Sequence, residues 1–226
     1  MQLKMLIIVP LAVITGAVIG AFVYLDSLQP IRNGELSLSN LSAPVSVRYD
    51  ERGVPHLEAQ NQLDLYRALG YVHAQDRLFQ MEMLRRLARG ELAEVLGESL
   101  VETDRLFRTL RIRDRATSFI AEQDKQSAAW LALQAYLDGI NQFQDSRPAP
   151  LEFDILGIPK RPFTAEDTAS VAGYLAYSFA AAFRTEPTLT YVRDQLGADY
   201  LQIFDISWHP EGVANPPALA ASDWRD

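Results

Sequence analysis

Hydrophobic and polar positions follow three regimes along this chain. From Met5 to Leu25 no charged residue interrupts an apolar run, which as a helix would measure roughly 31 Å, about the thickness of a hydrocarbon core. Lys4 precedes the run and Asp26 follows it, so the positive-inside rule puts the amino end in the cytoplasm and the rest outside. Residues 1–25 are therefore expected to be an uncleaved transmembrane anchor, or else a signal segment cut near the small residues of Ile19-Gly20-Ala21. Gly16 and Gly20 make a single GxxxG, which in a Gly- and Ala-containing span is better explained by chance than by helix pairing. Residues 26–43 mix Ser, Asn, Gly and Pro with scattered leucines and read as a tether without a core.

A period of two comes next. Val45, Val47 and Tyr49 alternate with Ser46, Arg48 and Asp50, Glu51-Arg52-Gly53 is a turn, and residues 54–59 form a second short strand, so a hairpin opens the folded part. Beyond Asn61 the period lengthens to that of a helix, with Leu65, Leu69, Val72, Phe79 and Met83 on one stripe as far as about Arg89. Asp76 lies on that stripe, and a carboxylate facing a core must be paired or hydrogen-bonded. Eight arginines between 85 and 115 are interleaved with Glu91, Glu94, Glu98, Glu102, Asp104 and Asp114, a pattern expected on a solvated, ion-paired surface.

Further helices are expected over about 125–143 and from Thr164, where Asp167 three residues on completes a capping-box-like start and Val171, Leu175, Phe179 and Ala182 line one face. Between them residues 145–150 form a turn, and Pro159 and Pro162 keep the chain extended. A last helix is expected from about Pro187 to Gly197, and residues 207–226, with three prolines and four alanines, read as a linker or spacer. The fold class is α+β, with the folded domain at 44–206.

Composition narrows the function classes. A formal charge of −8 and a pI near 4.9 repel phosphate backbones, so nucleic acid is set aside as a partner. Cysteine is absent, which removes disulfides, thiol nucleophiles and cysteine-based zinc sites. Histidine occurs only at 56, 73 and 209, and His56 and His73 are read as structural. The GxSxG, SxxK, HExxH, GxGxxG and P-loop signatures are all missing, so no catalytic residue is assigned in this chain.

One long stretch carries more information. Gly53-Val54-Pro55-His56-Leu57 leads into the run from Asp64 to Glu82, which includes Gly70-Tyr71-Val72-His73-Ala74-Gln75-Asp76-Arg77-Leu78-Phe79-Gln80-Met81, then Arg85-Arg86, Gly90-Glu91-Leu92-Ala93-Glu94 and Gly97. This resembles the α-subunit portion of the penicillin acylase family of N-terminal-nucleophile hydrolases. The likeness continues through Asp104–Leu110, Pro150–Gly157 and Phe163–Asp167.

The resemblance implies that the chain, mostly helical by itself, is part of a four-layer αββα fold and the front section of an exported, self-cleaving precursor. An amino-terminal serine of the β subunit would attack the amide of an N-acylated small molecule, such as a β-lactam side chain or an acyl-homoserine lactone. That serine is not in this chain; Ser222 lacks the Gly-Ser-Asn context and reads as spacer. The partners implied are the β subunit, in an αβ heterodimer, and an acyl amide. By the same likeness Tyr177, Phe179, Ala180 and Phe183 fall where the α chain closes over the acyl group, and Glu186 falls where a carboxylate helps hold a structural calcium ion shared with β. Ser178-Phe179-Ala180-Ala181-Ala182-Phe183 departs from the Asn-Arg-Phe pattern of the phenylacetyl-specific members. The expected location is the inner membrane facing the periplasm or exterior, or the exterior itself if residues 1–21 are removed. Rival readings are a non-catalytic, membrane-tethered binding module and the product of a truncated gene.

Overall fold

The computed structural model describes the backbone of residues 2–180 and 182–204, with side chains for residues 13–180, 186–201 and 203. The chain divides into two compact units, Met1–Leu175 and Ala176–Asp226. The expected spacer at 207–226, with Ser222 and His209, lies outside the described residues.

Helix α1 (Gln2–Ser27) opens the first unit. Among the described residues no helix is long and apolar enough to cross a membrane. The crossing expected over residues 5–25 is therefore not borne out by them; its first part, up to residue 12, lies outside the described side chains.

Strands β1 (Ser46–Tyr49) and β2 (Pro55–Glu58) form the antiparallel hairpin that the alternation predicts, with Val47 opposite Leu57 and Arg48 opposite His56. The turn is built by Asp50, whose Oδ1 accepts from the backbone N–H groups of Arg52 and Val54 at 2.9 Å each. Gly53 supplies a φ of 76°, which a residue with a side chain rarely adopts.

Helix α2 (Gln62–Arg89) is the axis of the unit. Asn61 caps it by accepting from the Asp64 N–H at 2.9 Å, and Gly90 ends it in the left-handed region. Short helices α3 (Ala93–Leu96), α4 (Val101–Thr109) and α5 (Ile112–Ala121) follow. They lead to α6 (Ala128–Ser146), which is capped by Ser127 and packs along α2. The two long helices meet at reciprocal glycines. A Cβ on Gly70 would stand 2.0 Å from the Tyr136 carbonyl oxygen, and one on Gly139 would stand 1.9 Å from the Arg67 carbonyl oxygen. Backbone-to-backbone contact of this kind excludes any side chain. Around it Tyr71, Ala74, Leu78, Leu137, Ile140 and Phe143 form the core.

Within the expected tether, 26–43, the backbone is held from Ile31 to Ala43. Leu38 packs against the core, and long-range side chains hold the backbone on both sides of it. The Gln75 amide bonds both the N–H and the carbonyl of Ile31, and the Gln142 amide does the same for Ser39. Asp64 receives the N–H groups of Ser42 and Ala43. The segment is a strap laid over α2 and α6.

The stretch expected to be turn and extended chain contains a short helix, α7 (Leu151–Leu156), started after Pro150 and stopped by Gly157 at φ 65°. Phe153 from this helix is 1% exposed and fills the core. Proline disfavours helix for the residue before it, not for those after it, so Pro150 permits a helix to start where the flanking prolines suggest extended chain. Helix α8 (Ala165–Phe179) starts at the expected cap: the Thr164 N–H donates to Asp167 Oδ2 at 3.0 Å, and the Asp167 N–H donates to Thr164 Oγ1 at 3.3 Å. In the second unit, α9 (Ala182–Leu196) begins before the expected Pro187, which it contains, and ends at Gly197; a 3-10 segment, Ala198–Phe204, follows.

Candidate functional site

The residues that position α8 are ionic and buried. Glu82, 0% exposed on α2, bonds Arg85 and Arg86 on its own helix, the latter from Nε to Oε1 at 2.7 Å. The Arg85 guanidinium lies 4.0 Å over the Phe163 ring and donates to the Pro162 carbonyl at 3.0 Å. It also reaches Asp167 Oδ2 at 3.4 Å, while Arg89 reaches Asp167 Oδ1 at 2.8 Å. Asp167 therefore serves as the cap of α8 and as the anchor of that cap to the last turns of α2.

Arg161 bridges Glu82 and Glu91 at 3.4 and 3.2 Å. Burial pushes the Glu91 carboxyl up, but Arg89 and Arg161 outweigh it and the net shift is downward. Nearby, Asp104 accepts the N–H groups of Leu92 and Ala93. The interleaved charges of 85–115 are thus only partly a solvated face. Arg105 with Glu102 and Arg111 with Asp114 are exposed pairs, whereas Arg85, Arg86, Glu91 and Asp104 are interior. The sequence signal that could have revealed this is Glu82-x-x-Arg85-Arg86 continuing the apolar stripe of α2.

Further along, α8 is held against the first unit by Tyr174, edge-on to Phe107 at 5.6 Å, and by Gly173, where a Cβ would stand 2.9 Å from the Ile112 side chain. The candidate acyl-contact residues begin where the second unit does. Tyr177 is half-buried, Phe179 is 83% exposed at the end of α8, and Ala180 is exposed. Phe183 is in α9, with its side chain outside the described residues; Glu186, also in α9, is exposed beside Pro187. No group of three or more metal-ligating residues occurs among the described residues, so Glu186 by itself would supply a single oxygen donor group to a calcium ion that needs several.

The histidines make contacts suited to structural roles. His56 Nε2 lies 3.3 Å from Asp50 in the hairpin turn, and His73 Nδ1 lies 3.0 Å from the Tyr136 hydroxyl. Burial lowers the His73 pKa against the opposing pull of Asp76. Asp76 is half-buried, and among the described residues it has no ion pair or hydrogen bond, contrary to the expectation that it would be paired or hydrogen-bonded.

The described residues form a mostly helical unit with a two-stranded hairpin. Residues 44–221 match the penicillin amidase family, and the chain belongs to that family. It is 43% identical over 143 residues to penicillin acylase 2 proenzyme of Pseudomonas sp. (strain SE83), covering 62% of this chain and 18% of that protein. It is 33% identical over 180 residues to the acyl-homoserine lactone acylase QuiP of Pseudomonas aeruginosa, covering 79% of this chain and 21% of that protein. The chain spans about a fifth of the length of these curated relatives. Among solved structures it is similar to a chain of the thermostable penicillin G acylase from Alcaligenes faecalis, an N-terminal-nucleophile hydrolase. The TM-score is 0.55 and the identity 28%, over 79% of this chain and 97% of that one.

Proposed function

We propose that this chain is the front section of an exported acylase that hydrolyses the amide bond of an N-acylated small molecule, a β-lactam side chain or an acyl-homoserine lactone among them. The observation that carries the reading is the pair of coverages: nearly the whole of one chain of a solved penicillin G acylase, but about a fifth of the relatives named penicillin and acyl-homoserine lactone acylases. In this reading the nucleophile is a serine on a second subunit, freed at its amino terminus by self-cleavage of a longer precursor, and the present chain is inactive by itself. The chain's own contribution is to carry Tyr177, Phe179, Ala180 and Phe183 to the acyl group, and Glu186 to a structural calcium ion shared with the second subunit. The charge asymmetry around the apolar amino-terminal run supports export, with the domain facing the periplasm or exterior, either retained at the membrane or released after removal of residues 1–21.

The test is expression of the gene with its natural downstream sequence, followed by denaturing electrophoresis and amino-terminal sequencing. Two fragments are expected, the larger beginning with serine. A single uncut product without amidase activity would overturn the reading and leave a binding module or a broken gene.

A further inference from the structure

Asparagine occurs at positions 33, 40, 61, 141 and 215, and the first stands apart from the rest. Asn40 is followed by Leu41, and its amide donates to Asp138 Oδ2 at 3.2 Å. Asn61 accepts the Asp64 N–H and donates to the Ser42 hydroxyl, both at 2.9 Å. Asn141 lies inside α6, where it accepts the Phe163 N–H at 2.8 Å and donates to the Phe163 carbonyl at 3.1 Å. Asn215 precedes Pro216, whose nitrogen carries no hydrogen.

Asn33 has none of these restraints. It precedes Gly34 in an exposed bend of the strap, between Ile31, clamped by the Gln75 amide, and Ser39, clamped by the Gln142 amide. Among the described residues neither the Asn33 amide nor the Gly34 N–H has a hydrogen-bond partner. Gly34 adopts a φ of 100°, and a Cβ placed on it would meet nothing within 4 Å, so neither a side chain nor a neighbour shields its nitrogen. Exposure and the lack of backbone hydrogen bonds are the marks of a segment that opens at little cost.

We propose that Asn33-Gly34 is a self-modification site, at which the chain converts Asn33 to a mixture of aspartate and isoaspartate. The Gly34 nitrogen attacks Cγ of Asn33. The N–Cγ bond forms, the Cγ–Nδ2 bond breaks, and the side-chain nitrogen leaves as ammonia with the proton of the Gly34 N–H. Water then opens the five-membered imide. Attack at Cγ restores the original backbone as aspartate, and attack at the main-chain carbonyl leaves the backbone running through Cγ as isoaspartate. The sum is one asparagine and one water to one acid and one ammonia, with no change of oxidation state. The new carboxylate makes the chain one unit more negative than its formal −8, and the isoaspartate form adds a methylene to the backbone between the two clamps. The proposal is independent of the acylase reading.

The test incubates the folded 226-residue chain in heavy-oxygen water at neutral pH and digests it in ordinary water, so that only conversion in the folded chain carries the heavy oxygen. Mass spectrometry with electron-transfer fragmentation then assigns each acid and its isomer. Labelled aspartate and isoaspartate are expected at position 33, accumulating about tenfold or more faster than at 40, 61 or 141, the factor given by a barrier lower by roughly 1.4 kcal/mol. Asn33→Gln, which would have to close a six-membered ring, should lose the conversion. Labelled aspartate without isoaspartate would mean direct hydrolysis and overturns the cyclisation. Absence of conversion at 33, or conversion there no faster than at Asn40, overturns the site. So does a free peptide of residues 30–37 that converts while the folded chain does not, because the strap would then shield Asn33.

Discussion

The two ends of α2 each bury a carboxylate, and they stabilise it by different means. At the start, Asp64 is 1% exposed and is met mainly by neutral donors: the Ser42 hydroxyl at 2.7 Å, the N–H groups of Ser42 and Ala43, and the Asn61 amide. At the far end, Glu82 is met, among the described residues, only by guanidinium groups, those of Arg85, Arg86 and Arg161. A carboxylate held by neutral donors is a hydrogen-bonding centre whose failure is protonation. One held by cations is a charge balance whose failure is the loss of a partner.

Removing Glu82 is the strongest way to break that contrast. Glu82→Ala leaves two buried guanidinium groups without their shared anion and should cost about 3–5 kcal/mol in urea unfolding. A loss no larger than that of a surface substitution would mean that Asp167 and Glu91 can rebalance the cluster alone. Gly139→Ala, at the crossing between the two ends, should cost about 1–3 kcal/mol because neither backbone can withdraw. A neutral result there would mean that the helices slide.

Acid sharpens the contrast from the other side. The Ser42 hydroxyl bond leads, and with the other donors it outweighs burial to hold the Asp64 pKa down to about 2. Its folded pKa lies below its unfolded value, so its contribution is fully present above about pH 4 and is lost as the pH falls towards about 2. Hydrogen exchange should show the amides of Ser42 and Ala43 and the first turn of α2 opening within this window. Simultaneous opening of the far end would deny the distinction. Asn61→Ala, which removes the cap and one Asp64 donor, should cost about 1 kcal/mol. Glu102→Ala, in an exposed pair with Arg105, should change stability by less than about 0.5 kcal/mol.

The same contrast separates what was legible in the chain from what was not. The hairpin, α2 and the cap of α8 are local patterns, each readable within a few residues: alternation at 45–49, a stripe from Leu65 to Met83, and Thr164 with Asp167. The strap was not legible, because Gln75 and Gln142 lie 44 and 103 positions from the backbone groups they hold. Nor was the depth of Arg85 and Arg86, since an arginine among acids reads the same on a surface as in an interior. Of the candidate site, the sequence named Tyr177, Phe179, Ala180, Phe183 and Glu186 through likeness, and no local pattern marks them out.

The hairpin, the long helices and the apolar faces they bring together follow from the chain alone, because periodicity and capping act over one or two turns. The family likeness could be read at the same level, from the motifs running through 53–110. Only the tertiary structure decided which carboxylates are buried, which donors meet them and where the strap lies. Those outcomes depend on groups far apart in sequence, and a buried charge is tolerated only where distant partners arrive together.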